Sequence, residues 1–145
     1  PGERLGYVLV PKQVTDADSV YAATAGAGRS QGYVNAPSLF QRVAAECCDL
    51  TADIGVYERN CALLTDALRE MGYQVVQPGG AFYLFPRSLE PDDMAFSERA
   101  KKFDLLLVPG SGFGAPGHFR IAYCVQTEMI ERALPRFKAL ADSYQ

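Results

Sequence analysis

With 145 residues, 48% of them hydrophobic and 21% charged, the chain suits one compact domain, or one domain and part of another. A net charge of -3, with Lys and Arg scattered and no basic stripe, speaks against nucleic acid as a partner. The apolar runs fall far short of a membrane span, and four cysteines without CxxC spacing beside a single histidine leave no metal-site pattern. Cys47, Cys48, Cys61 and Cys124 all lie in apolar stretches and read as buried free thiols of a protein in the reducing cytoplasm.

The chain opens at Pro1 without a Met and reads as a piece of something longer. Residues 5–10 form a short apolar run stopped by Pro11, expected to be a buried strand. An alanine-rich helix is expected over 16–27, ending near Gly26 and Gly28, and a loop over 32–37. Ser38 is expected to cap a helix whose Leu39, Val43, Ala44 and Cys47 share a face, and Thr51 the next one. That next helix carries the clearest periodicity in the chain, Ile54, Tyr57, Cys61, Leu64, Leu68 and Met71, with Gly72 placed to end it.

Residues 73–76 and 81–85 read as two strands of a hairpin around the turn Gln77-Pro78-Gly79-Gly80. Pro91, Asp92 and Asp93 open a helix running to about Phe103. Strands are expected over 105–108 and 119–125, and a final helix capped by Thr127 and kinked or divided at Pro135. The order predicts an α/β two-layer sandwich, helices packed on a small mixed or antiparallel sheet, over 38–145. Residues 1–37 read as a remnant strand and helix of a larger neighbouring domain.

The segment Gly112-Phe113-Gly114-Ala115-Pro116-Gly117 matches G-x-G-x-x-G, yet it is not a dinucleotide fingerprint. That motif needs a helix to start within the turn, whereas Pro116 interrupts here and the continuation is strand-like. The glycines instead let the loop turn sharply. Just beyond it stands Arg120, within the apolar run Phe119-Arg120-Ile121-Ala122-Tyr123. A guanidinium keeps its proton in a protein, so it either reaches solvent from an edge strand or meets an anion, from the protein or bound. His118 has no visible carboxylate partner, and Lys101-Lys102 reads as a solvated helix face.

Four segments stand in a recognisable order: Gly2-Glu3-Arg4-Leu5-Gly6-Tyr7, Tyr33-Val34-Asn35-Ala36-Pro37, Gly79-Gly80-Ala81-Phe82-Tyr83-Leu84-Phe85, and the 109–114 loop followed by Phe119-Arg120-Ile121-Ala122-Tyr123. Together they resemble the C-terminal part of fold-type I pyridoxal-phosphate-dependent aminotransferases of class I/II. The resemblance implies that Arg4 binds the phosphate of pyridoxal 5'-phosphate and that Arg120 holds the substrate α-carboxylate. It implies further that Gly80 and Phe82 line the substrate entrance, and that Asn35 lies on a loop approaching a neighbouring subunit's site in a homodimer. Arg29 stands near the place where some dicarboxylate-specific members carry a further arginine.

The Schiff-base lysine of that family would lie upstream of Pro1, and none of Lys12, Lys101, Lys102 or Lys138 stands at its place. The chain alone is therefore expected to be inactive. The whole protein is expected to exchange an amino group between an amino acid and a 2-oxo acid. A carbon–sulfur lyase or decarboxylase of the same fold, and a non-catalytic α/β module for anion binding or oligomerisation, are the alternatives.

Overall fold

The computed structural model describes residues 4–145; Gly2 and Glu3 of the first motif lie outside them. The chain falls into two compact units, one through Thr51 and one spanning Ala52–Gln145.

The first unit carries two helices, α1 (Ala17–Ser30) and α2 (Ser38–Cys47). The expected buried strand over 5–10 is not formed, and Tyr7 in its middle is 92% exposed. A strand is held by ladder bonds to a neighbour, and no described strand pairs with this run. Helix α1 runs through Gly26 and Gly28 rather than stopping there, and Gln31 closes it. Pro37, not Ser38, occupies the capping position of α2, and Leu39 and Val43 are exposed.

The second unit holds α3 (Ile54–Glu70), β1 (Tyr83–Leu84), α4 (Asp93–Lys101), β2 (Val108–Pro109), a single-turn 3-10 helix (Gly110–Phe113), β3 (Phe119–Ala122) and α5 (Thr127–Asp142). The three strands form one antiparallel sheet in the order β1-β3-β2 with helices packed on it, the expected α/β arrangement. Asp53, rather than Thr51, caps α3 by accepting a hydrogen bond from the Val56 amide. Gly72 then turns the chain at φ 91°, a conformation that glycine adopts without strain. Of the α3 stripe, Cys61, Leu64 and Leu68 are buried, whereas Ile54 projects outward.

The hairpin expectation fails. Residues 73–76 are not a strand; they meet the following segment through one bond, from the Arg87 amide to the Gln74 carbonyl (3.0 Å). Tyr73 is nonetheless a core residue, edge-on to Phe119 and Phe137, with its hydroxyl donating to the Phe137 carbonyl. Burial pushes that hydroxyl's pKa well above the ordinary tyrosine value. Leu68, Leu84, Phe96, Phe119 and Leu140 complete the centre, each such side chain contributing about 1.5–3 kcal/mol by leaving water.

Gln126, not Thr127, precedes α5, and the helix passes through Pro135 without dividing. Only Cys61 of the four cysteines is buried; Cys47, Cys48 and Cys124 are exposed, and all four are free. Among the described residues no helix is long and apolar enough to cross a membrane, and no cluster of metal-binding side chains occurs.

Candidate functional site

Strand β3 is the middle strand, so Arg120 does not sit on a sheet edge. Alternation along the strand turns Phe119 into the core and Arg120 to the opposite face. The register pairs Tyr83 with Ala122 and Val108 with Arg120, which puts Tyr83 on Arg120's face as its diagonal neighbour.

The half-buried Arg120 is held by aromatic rings. Its Cζ lies 4.4 Å from the ring centre of Tyr83, on the β1 side, and 4.3 Å from that of Phe113, which arrives from the β2–β3 loop. Rings packed over a guanidinium attract its charge and leave its in-plane N–H groups as the available donors. No carboxylate among the described residues lies within the 4.0 Å of an ion pair with it. The site thus presents one uncompensated cation with a planar fork, the geometry that takes a carboxylate by two parallel hydrogen bonds.

The loop that delivers Phe113 is tightly constrained. Gly110 donates its amide to the His118 carbonyl (2.8 Å), and its carbonyl accepts from the Ala115 amide (3.1 Å). A Cβ at Gly110 would stand 2.3 Å from the Ala115 oxygen and 2.7 Å from the His118 oxygen, so only glycine fits. Gly114 and Gly117 then take φ values of 72° and 73°. The chain continues into β3 rather than into a helix, as expected for a loop that is no dinucleotide fingerprint.

Asp93, in the first turn of α4, pins the same loop. Its Oδ1 accepts from the Ser111 hydroxyl and its Oδ2 from the Ser111 amide, both at 2.6 Å. These two bonds, side chain first, hold the Asp93 carboxyl below its ordinary pKa. Asp92, the preceding residue, caps α4 through the Met94 and Ala95 amides.

Phe82 lies beside this site, its ring centre 4.6 Å from that of Tyr83. Its carbonyl accepts from the Tyr123 amide, while the Tyr123 hydroxyl donates to the Ala81 carbonyl. Burial pushes the Tyr123 hydroxyl up to about 12. Gly80 is exposed, with open space where a side chain would be. Arg4 and Asn35 are exposed residues of the first unit.

His118 stacks on Phe85 (6.0 Å between ring centres) and its Nδ1 lies 3.1 Å from the Pro116 carbonyl. A carbonyl only accepts, so Nδ1 carries the proton there; no carboxylate pairs with the ring among the described residues. Lys101 pairs with Glu98 and Lys138 with Asp142, each along its own helix.

The sequence singled out Arg120 and Phe82 but not the contacts that Tyr83, Phe113 and Asp93 make around them. Phe113 and Tyr83 stand within the motifs quoted above, yet nothing in their spacing shows that both rings meet one guanidinium. Asp93 reads in the sequence only as a helix opener.

The family model described as aminotransferase class I and II matches residues 1–137. The aspartate/prephenate aminotransferase of Thermus thermophilus is 29% identical over 141 residues, covering 94% of this chain and 36% of the relative. The aromatic-amino-acid aminotransferase 2 of Thermococcus litoralis is 40% identical over 87 residues, covering 57% of this chain and 22% of its own. Among solved structures, an aminotransferase from Eubacterium rectale matches with a TM-score of 0.92 and 50% identity, over 100% of this chain and 36% of that one. The chain therefore spans 36% of the length of the first of these curated relatives. The match over 1–137 and these likenesses show that the chain belongs to the class I and II aminotransferase family.

Proposed function

We propose that this chain supplies the substrate-carboxylate grip of a pyridoxal-phosphate-dependent aminotransferase that exchanges an amino group between an amino acid and a 2-oxo acid. The observation that carries the reading is the Arg120 guanidinium, packed against the rings of Tyr83 and Phe113 with no carboxylate among the described residues to neutralise it. An α-carboxylate is the anion whose two oxygens match that fork.

In this reading Arg120 fixes the amino acid by its carboxylate and so sets which bond at Cα faces the cofactor. Phe82 and Gly80 form the entrance next to it: Phe82 extends the aromatic wall of Tyr83, and Gly80 leaves room for a side chain to pass. Asn35 belongs to a loop that reaches a second subunit's site, which makes the whole protein a homodimer.

Pyridoxal 5'-phosphate, when bound, supplies the electron sink for the transfer. The residues present fit one part of it. Arg4 is exposed and has no carboxylate within the 4.0 Å of an ion pair among the described residues, so its charge is available to a phosphate. None of the chain's lysines is assigned to hold the cofactor, and the 145-residue polypeptide alone is proposed to be inactive.

The test is product analysis on the whole protein loaded with pyridoxal phosphate and incubated with aspartate, glutamate or an aromatic amino acid. The reading expects one equivalent of 2-oxo acid and the aminated cofactor, reversed by a second 2-oxo acid. Release of carbon dioxide, or of a thiol from a sulfur amino acid, would replace it with a decarboxylase or lyase.

A further inference from the structure

We propose that Asp93 is a positioning residue for the substrate carboxylate, acting through Ser111 and Phe113 on the Arg120 guanidinium. The inference rests on the reading of Arg120 given above.

Helix α4 is anchored by Phe96, Ser97 and Ala100, all buried, and its first turn is fixed by the Asp92 cap. Asp93 is therefore attached to a rigid base. Asp93 is a buried residue, only 3% exposed as a whole, and no cation among the described residues pairs with its carboxylate. Burying an unpaired carboxylate is costly, so its retention calls for donors that satisfy it. Ser111 provides two, one to each oxygen, and together they fix both the backbone and the side chain of that residue.

Gly110 locks the base of the loop, but the turn beyond it has less rigidity of its own. Gly112 and Gly114 flank Phe113 with open space around them, and 3-10 geometry offers weak internal hydrogen bonds. Phe113 lies two residues beyond the Ser111 anchor. It is 51% exposed, so burial alone does not hold it in place. With Ser111 clamped, the Phe113 ring is set edge-on to Phe85 (6.1 Å) and 4.3 Å from Arg120. The ring restricts where the fork can point. Asp93 is thus coupled to the carboxylate grip without touching substrate.

The test uses the whole protein loaded with pyridoxal phosphate, turning over an amino acid and, separately, the amine of the same side chain, which lacks the carboxylate. Asp93→Ala should raise KM for the amino acid about tenfold while kcat falls less than about threefold, because a misdirected fork weakens capture. Discrimination for the amino acid over the amine should fall with it. Phe113→Leu, which keeps apolar volume and leaves the Asp93 clamp intact, should reproduce the same split if Asp93→Ala fails to fold. Asp93→Glu, with the carboxylate retained, should recover part of the loss. If Arg120→Ala abolishes discrimination while neither Asp93→Ala nor Phe113→Leu changes KM, the positioning role is overturned and the Arg120 reading stands. If Arg120→Ala leaves discrimination intact, the underlying reading fails instead.

Discussion

The hydroxyl of Thr127 donates to the Oδ1 of Asn60 across 2.8 Å, tying the start of α5 to the middle of α3. The Asn60 amide nitrogen donates in turn to the carbonyls of Tyr123 and Val125 at the end of β3. Asn60 has no exposure, and these three bonds satisfy the chain where β3 leaves the sheet. Asn60→Ala would leave two carbonyls and a hydroxyl without this partner. It should lower unfolding stability by about 3 kcal/mol, read as the shift in urea midpoint. A shift under about 0.5 kcal/mol would show that water replaces the amide at no cost.

Helix α3 was legible because a 3.6-residue period carries its own answer: Cys61, Leu64 and Leu68 recur at one face and are buried. Alternation in short strands carries less. Residues 73–76 and 81–85 have β-like composition, but β1 pairs with β3, far along the chain, and Ala81 takes φ 63°, which breaks the second run. Residues 5–10 show the same weakness, since an apolar run does not name the strand it needs beside it. At the site, Arg120 was conspicuous as a charge in an apolar strand. Its aromatic neighbours were not, because Tyr83 reaches it across a register diagonal and Phe113 through a loop pinned from α4. Those relations exist only in the folded chain.

Leu68 is fully buried on α3 at the centre of the core. Leu68→Ala should destabilise the protein by about 2–5 kcal/mol, with amino-acid KM close to wild type below the melting transition. Calorimetry checks the first part and steady-state kinetics the second.

Gly110→Ala places a Cβ against the backbone oxygens of Ala115 and His118, neither of which can swing away. The loop must rearrange and carry Phe113 with it. Activity on the amino acid should fall at least about tenfold, and hydrogen exchange across 110–118 should accelerate while α3 stays protected. Unchanged exchange in that loop would show that the close approach is dispensable.

Asp93 makes stability depend on acid. Its carboxyl is held below the ordinary value of 3.8 by the Ser111 hydroxyl and amide, so the folded state favours the charged form. That contribution is complete above the ordinary value and is lost as pH falls through the lower, folded-state value. The difference in urea midpoint between wild type and Asp93→Asn should hold constant at and above about pH 5 and shrink below about pH 4. A difference that grows on acidification would contradict the assignment.

The central claim is that Arg120 holds the substrate carboxylate, and discrimination between an amino acid and its amine tests it most directly. The charge-assisted contact is worth about 3 kcal/mol, so Arg120→Ala in the whole protein should cut kcat/KM for the amino acid by about a hundredfold or more. The amine, which offers the guanidinium nothing to grip, should lose far less, and the ratio between the two should collapse. Equal losses on both substrates, or a ratio that survives the substitution, would place the carboxylate elsewhere and contradict the account.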